Sequence, residues 1–85
     1  MALEHYTFPA VFTWEDKGVS INFPDLPGCF SCAENFRKAV KNAREVLQLH
    51  IAGMIMDDEQ IPEPTAIENV ERTEDDLVAL IEIKI

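Results

Sequence analysis

Hydrophobic and polar residues alternate along three stretches of this 85-residue chain, at 6–13, 19–23 and 77–85. Alternation with a period of two, in stretches rich in aromatic and β-branched side chains, predicts β-strands with one buried face. Turn-forming residues at 14–18 separate the first two stretches, so these strands are predicted to form an antiparallel hairpin. A shorter strand is predicted at 29–33, where a brief apolar run follows a proline-rich segment.

The first predicted strand contains a proline, Pro9. Because proline has no backbone N–H to donate to a sheet, Pro9 predicts an edge position or a bulge. Residues 1–5 are predicted to form a short lead-in to this strand.

Apolar residues between 36 and 55 recur every three or four positions, which is the spacing of one face of an α-helix. They are Phe36, Ala39, Val40, Ala43, Val46, Leu47, Ile51, Met54 and Ile55. Asn35 is a favourable N-cap, so the helix is predicted to begin directly after it. The polar face of this helix carries four of the chain's seven cations, and we interpret it as a solvated face. These cations are Arg37, Lys38, Lys41 and Arg44.

A rigid loop is predicted between the second and third strands. Pro24 and Pro27 fix φ near about −65°, and Gly28 permits a positive φ in the turn that follows. Two interpretations are open. The loop is either a stiff connection between strands or a platform that presents Asp25 and Leu26 to a partner.

The predicted order of elements is β-β-β-α-β. It indicates a single α+β domain over residues 1–85, in which a mainly antiparallel sheet packs against one long helix as two layers. Residues 57–76 differ from the rest, because they hold nine acids, one base and the prolines Pro62 and Pro64. This segment is predicted to be irregular and mobile, with at most a short helical turn at 66–72.

The formal net charge of −9 favours proteins over nucleic acids as partners. Phosphate contact needs clustered Lys and Arg, so direct nucleic-acid binding is not expected. The acidic surface is either a solvated exterior or a face for a basic protein. No apolar run approaches the roughly 20 residues that span a bilayer, and no secretory signal is recognisable, so a cytoplasmic location is expected.

Cys29 and Cys32 form a C-x-x-C sequence, a spacing that serves redox chemistry or zinc binding in other proteins. Here both fall in a predicted strand, where positions three apart point to opposite faces. A zinc site would need two further ligands, and only His5 and His50 are available. We therefore predict free, buried or half-buried thiols and no bound metal or cofactor.

No set of residues has the spacing of a catalytic site. The carboxylates Glu15, Asp16 and Asp25 fall in predicted turns and loops rather than centrally on strands, where a rigid metal site would be expected. No Ser, Cys or His lies beside a plausible base. The sequence therefore predicts a protein that is not an enzyme.

Several segments, taken in order, resemble the HicB family of bacterial and archaeal antitoxins. They are Phe8-Pro9-Ala10-Val11-Phe12, Glu15-Asp16-Lys17-Gly18, Val19-Ser20-Ile21-Asn22-Phe23-Pro24-Asp25-Leu26-Pro27-Gly28-Cys29, Ala39-Val40-Lys41-Asn42-Ala43 and Ile61-Pro62-Glu63-Pro64. The resemblance covers most of the chain and includes no catalytic motif. It implies the fold of a HicB amino-terminal domain, which is described as a partial ribonuclease-H-like fold.

The resemblance implies a binding module that neutralises a small basic toxin of the HicA type. Such toxins are ribonucleases that cleave messenger RNA, and the antitoxin would occlude the RNA-binding face. Glu15, Asp16 and Asp25 occupy the stiffest acidic positions and are predicted to orient the complex, with Leu26 adding apolar contact.

The alternative is an orphan structural or assembly protein that self-associates and has no toxin partner. Val78 and Leu80 make part of the second face of the last strand apolar, which predicts a dimer or a larger homo-oligomer. HicB proteins usually carry a further DNA-binding segment. This chain stops directly after its last strand, so operator binding is not expected.

Overall fold

The computed structural model describes residues 4–85, in which an antiparallel sheet packs one face against a single long helix. The elements, in chain order, are β1 (His5–Glu15), β2 (Gly18–Asn22), β3 (Phe30–Ala33), α1 (Phe36–Met56) and β4 (Leu77–Lys84). The strand order in the sheet is β3-β2-β1-β4, and every neighbouring pair is antiparallel. The predicted α+β class and β-β-β-α-β order are confirmed. Of the predicted lead-in at 1–5, residues 1–3 lie outside the described residues, and His5 already belongs to β1.

The core lies between α1 and the inner face of the sheet, which is the face turned toward the helix. The helix contributes a buried residue at every fourth position: Ala39, Ala43, Leu47 and Ile51. The sheet contributes Phe8, Ala10, Phe12, Val19, Ile21, Ile81 and Ile83. The two alanines leave room for the large buried side chains of the sheet, so large and small side chains meet across the interface. Asn35 caps the helix as predicted, because its side chain accepts a hydrogen bond of 2.9 Å from the Lys38 backbone N–H.

Pro9 lies in a central strand, so the predicted edge position is wrong for the strand as a whole. β1 has β2 on one side and β4 on the other. The pairing with β2 begins only at Val11, however, while Pro9 is paired with Leu80 of β4. Because β1 has a single neighbour at this position, a residue without a backbone N–H is tolerated there.

The tight hairpin between β1 and β2 depends on a glycine. A Cβ atom at Gly18 would overlap the carbonyl oxygen of Ala33 on the neighbouring strand β3. The close approach of these two backbones requires a residue without a side chain. The predicted hairpin is confirmed, with its turn at Asp16 and Lys17.

The proline-rich loop folds into the protein rather than away from it. The Leu26 N–H donates to the Phe23 carbonyl at 3.0 Å, and the Cys29 N–H donates to the Leu26 carbonyl at 2.9 Å. All three side chains join the core. Burial raises the pKa of the Cys29 thiol to about 11, so this thiol is protonated and unreactive at neutral pH. Cys32, in contrast, is exposed on β3, so the prediction of a buried or half-buried thiol is wrong there.

Segment 57–76 returns the chain from the end of α1 to the start of β4, and part of it is a 3₁₀-helix at Ile67–Asn69 that lies against β4. Three residues of the outer face of the sheet, Pro9, Val11 and Val78, are buried although they point away from α1. They also stand outside the main core cluster. Segment 57–76 therefore packs over part of the outer face and shields it from water.

Candidate partner-binding surfaces

The predicted partner-binding residues separate into an exposed pair and an enclosed pair. Glu15 and Asp16 are exposed at the turn between β1 and β2. Leu26 is 1% exposed and belongs to the core, so its side chain offers no surface to a partner. The apolar contact expected from Leu26 is therefore not available in this structure, because the loop turns this side chain inward.

Asp25 fastens the proline-rich loop to segment 57–76. Its carboxylate accepts a hydrogen bond of 2.8 Å from the Thr65 backbone N–H and another from the Thr65 hydroxyl. Both oxygens are thus occupied within the chain, in a partly buried site. This pairing could not be predicted from the sequence, since the two residues are 40 positions apart. Asp25 holds the acidic segment in place, which differs from the presentation to a partner that its loop position suggested.

A second attachment joins the far end of the acidic segment to β1. The Thr13 hydroxyl donates to one oxygen of the Asp76 carboxylate at 2.9 Å, and the Thr73 backbone N–H donates to the other at 3.1 Å. These bonds, with that of the Thr73 N–H as the largest cause, lower the pKa of Asp76 below its ordinary value. Segment 57–76 is irregular as predicted, but side-chain hydrogen bonds hold it near its middle, at Thr65, and at its end, at Thr73 and Asp76.

The hairpin end of the molecule comprises Trp14 to Lys17 together with Phe36 at the start of α1. The Trp14 ring stacks on the Phe36 ring with centroids 5.6 Å apart, and Phe36 in turn meets the buried ring of Phe12 edge-on at 5.3 Å. Trp14 is still 51% exposed. This stack gives the hairpin end a rigid aromatic surface.

Cations offset the acids at the hairpin end. A groove of about 640 Å³ lies beside the turn, and Glu15 lines it together with Lys17, Lys38 and Lys41. Lys38 also pairs with Glu34 across one helical turn at 3.4 Å. The predicted acidic pair therefore lies among positive charges, which weakens its field toward a basic protein.

The other end of α1 has a different surface, which we name the helix-end face: Leu49, Ala52, Gly53 and Met56, followed by Asp57, Asp58 and Glu59. The first four residues occupy positions i, i+3, i+4 and i+7 and so lie on one side of the helix. Leu49 is 77% exposed and Met56 is 85% exposed. Neither exposed side chain was predicted from the sequence, because both residues fall outside the apolar pattern of the core. An apolar residue outside that pattern is itself a signal of an exposed apolar surface.

At the helix-end face, one backbone conformation and the distribution of charge are unfavourable for the helix on its own. The helix ends in a Schellman motif, in which the Glu59 N–H donates to the Met54 carbonyl at 2.9 Å and the Asp58 N–H donates to the Ile55 carbonyl at 3.1 Å. Asp58 takes the left-handed position with φ of 57°, where glycine is usual. No cation lies in the last turn of α1, where the helix dipole favours positive charge.

Gly53 lies in the interior of α1 without a steric reason in the folded chain. A Cβ atom added there would meet nothing within 4 Å. A glycine inside a helix is destabilising by roughly 0.5–1 kcal/mol relative to alanine. The fold alone does not require this residue.

The formal charge is divided very unevenly along the chain. Residues 1–56 carry six acids and five cations, whereas residues 57–85 carry ten acids and two cations. Nearly all of the net charge of −9 therefore belongs to the part of the chain that begins at the end of α1.

The residues predicted for self-association are only partly accessible. Val78 is 8% exposed on the outer face of β4, whereas Leu80 is 54% exposed. β4 is an edge strand of the sheet, paired with β1. Leu80 and the outer edge of β4 are the part of the predicted surface that a second copy could reach.

Within residues 4–85, no group of three or more His, Cys, Asp and Glu side chains is placed to hold a metal ion. The two cysteines are free. In the same residues, no helix combines the length and the hydropathy needed to cross a membrane.

Comparisons with known proteins agree with this architecture. A protein of 14.9 kDa from the rep-hol intergenic region of Haemophilus phage HP1 is 33% identical over 79 residues, which is 89% of this chain. The chain spans only 59% of the length of that phage protein. A UPF0150 protein of Thermoplasma acidophilum is 33% identical over 54 residues, which is 64% of this chain and 78% of the relative.

Solved structures show the same fold. A toxin–antitoxin complex from Streptococcus pneumoniae contains a chain with a TM-score of 0.82 at 20% identity, covering 93% of this chain and 69% of its own. A complex of HicA3 and HicB3 gives a TM-score of 0.72 at 22% identity, over 88% of this chain and 94% of that one. The N-terminal domain of the Burkholderia pseudomallei antitoxin HicB gives 0.74 at 25% identity, over 94% of this chain and all of that domain. Residues 8–85 match the HicB-like antitoxins of bacterial toxin–antitoxin systems, and the chain belongs to this family.

Proposed function

We propose that this protein neutralises a small basic toxin of the HicA type by covering the surface with which the toxin binds messenger RNA. The HicB-like antitoxin family is not a family of enzymes, so the protein acts by binding. The observation that carries the proposal is the excess of ten acids over two cations in residues 57–85 of a chain of this family. Its place of action is the cytoplasm, where messenger RNA is translated, and it needs no cofactor and no direct contact with nucleic acid.

Occlusion follows from charge and rigidity. A toxin that binds RNA must expose Lys and Arg, and an acidic protein accelerates encounter with such a surface. Asp25 holds the acidic segment near its middle and Asp76 holds it at its end, which lowers the conformational entropy that binding would otherwise remove. Glu15 and Asp16 are exposed and contribute at longer range, by orienting the approach rather than by forming the buried contact.

The test is a titration of toxin activity. A small basic toxin of the HicA type would be purified, and its cleavage of a labelled messenger RNA would be followed as this protein is added. We expect cleavage to stop at a fixed stoichiometric ratio, and to return at high salt if charge drives association. Undiminished cleavage at a large excess of this protein, with no complex in gel filtration, would refute the antitoxin proposal.

Self-association through β4 is a second candidate, which the exposed Leu80 on an edge strand favours. An edge strand offers unpaired backbone groups to a second copy. Leu80→Lys should then shift a dimer toward monomer in sedimentation equilibrium. Val78 is unsuitable for this test, because a lysine at a buried position would disturb the fold. A wild-type protein that is already monomeric at micromolar concentration would contradict the candidate.

A further inference from the structure

We propose that the helix-end face is the surface on which the basic toxin docks, and that the docking element is a helix with apolar and cationic side chains. This inference rests on the proposed function and assigns its main contact to one place on the molecule. Three independent features of the helix-end face carry it, and they concern apolar exposure, backbone shape and charge.

The apolar feature is the exposure of Leu49 and Met56. They are the two most exposed large hydrophobic side chains among those described, and they stand on the same side of α1. Seven residues separate them, which corresponds to about 10 Å along a helix with a rise of roughly 1.5 Å per residue. Water contact with both side chains is unfavourable in the free protein, and burial against a partner would remove it.

The shape feature is the depression between these two side chains. Ala52 and Gly53, which have the smallest side chains, lie between Leu49 and Met56. A Cβ atom at Gly53 would meet nothing within 4 Å. The axes of packed helices normally lie 8–10 Å apart, and the size of the side chains between them sets this distance. A glycine between two protruding side chains allows a partner helix to pack at closer range. Docking therefore gives Gly53 a role, whereas the folded monomer gives it none.

The charge feature identifies the chemistry of the occupant. Asp57, Asp58 and Glu59 follow the negative end of the helix dipole, and the last turn of α1 has no cation. The site therefore combines apolar side chains with an uncompensated negative potential, which fits a basic partner. A second copy of this chain would bring charge of the same sign to the same contact, so self-association is disfavoured here.

The three features belong together because each is unfavourable for the free chain. Water contact disfavours the exposed Leu49 and Met56, a helix disfavours Gly53, and the negative end of the helix dipole disfavours acids. Departures from local preference without a gain in the monomer are expected where a surface serves another purpose. The hairpin end has one such departure in charge, Arg37 and Lys38 in a first turn of α1 without acids, but it has no non-glycine residue with positive φ and no glycine inside the helix.

The experiment measures the rates at which this protein associates with and dissociates from a small basic toxin of the HicA type that has been made inactive by mutation. Leu49→Gln with Met56→Gln should raise the dissociation rate at least 10-fold, because it removes buried apolar contact. Gly53→Gln should do the same by filling the depression, while raising the thermal midpoint of the free protein. Leu80→Gln is the control, a leucine on the sheet that is 54% exposed, and it should change neither rate by more than twofold.

The outcomes separate the inference from the proposed function. If wild type binds and inhibits the toxin and the helix-end variants retain both rates, the docking surface is elsewhere and the inference is overturned. If the variants instead dissociate a dimer of this protein and leave toxin binding unchanged, the occupant is a second copy, which also overturns it. Failure of wild type to bind the toxin at all overturns the proposed function.

Discussion

The two ends of α1 differ in their side-chain contacts, in the environment of their glycines and in their charges. At the hairpin end, the Trp14 and Phe36 rings stack above the core, Gly18 is required by a close backbone approach, and acids lie among lysines. At the helix-end face, Gly53 fills no tight space, Leu49 and Met56 stand in water, and acids have no cation in the last turn of the helix.

The difference distinguishes residues that stabilise the fold from residues that we assign to binding a partner. At the hairpin end, the required glycine and the exposed aromatic stack are explained by neighbours within the chain. The choices at the helix-end face have no such neighbour and lower the stability of the free protein. Mutations should therefore have opposite effects at the two ends: losses of stability at the first, and gains in stability with losses of binding at the second.

The largest effect is expected from Phe12→Ala at the hairpin end. Phe12 is fully buried and supports the exposed ring of Phe36, so its truncation should lower the free energy of unfolding by about 3–5 kcal/mol. Leu49→Ala, the comparison at the other end, should change it by less than about 0.5 kcal/mol. Urea denaturation followed by tryptophan fluorescence measures both. Similar losses for the two variants would remove the contrast between the ends.

The two glycines provide a matched pair. Gly18→Ala should destabilise the protein by about 1–3 kcal/mol, because the new Cβ atom overlaps the Ala33 carbonyl oxygen. Gly53→Ala should stabilise it by about 0.5–1 kcal/mol, since alanine is the better helix former and space is free. Thermal melts of both variants make the comparison. A destabilising Gly53→Ala would mean that the fold itself needs this glycine.

A smaller gain is expected at the end of the helix. Asp58→Gly relieves the left-handed backbone and removes an acid from the negative end of the dipole, so it should add about 1 kcal/mol of stability. Asp16→Gly is the control at the hairpin turn, where Asp is exposed without a positive φ and no gain is expected. Equal responses at the two turns, measured by chemical denaturation, would contradict the assignment of local cost to the helix end.

The smallest effect concerns acid. The pKa of Asp76 is lower in the folded protein than its ordinary value of 3.8, so the folded state binds this proton less readily than the unfolded state. The resulting stabilisation is present above about pH 4 and is lost as the pH falls through the folded value. Asp76→Asn should therefore show a shallower loss of stability between pH 5 and about pH 3 than wild type. Superimposable acid profiles would show that the bonds from Thr13 and Thr73 contribute nothing.

The elements of the fold could be predicted because each has a local cause. The period of two along 6–13 and 77–85, the helical spacing after Asn35 and the turn chemistry before Gly18 act over a few residues, and all three are confirmed. The position of Pro9 could not be predicted, since it depends on where β2 stops pairing with β1.

The candidate surfaces were harder to predict, because exposure is a property of the whole chain. Leu26 lies in a loop yet completes the core, and Asp25 is occupied by Thr65 from 40 positions away. Nothing near either residue in the sequence indicates these contacts. The exposure of Leu49 and Met56, in contrast, could have been inferred, since neither fits the apolar spacing of α1.

The most direct measurement of the docking surface is methyl NMR with cross-saturation. This protein would be prepared with labelled Leu and Met methyl groups in a deuterated background, and the bound, inactive toxin would be irradiated. The proposed contact predicts that Leu49 and Met56 lose signal strongly, while Leu77 and Leu80 at the sheet edge do not. Loss of signal at Leu77 or Leu80, with Leu49 and Met56 unaffected, would contradict docking on the helix-end face.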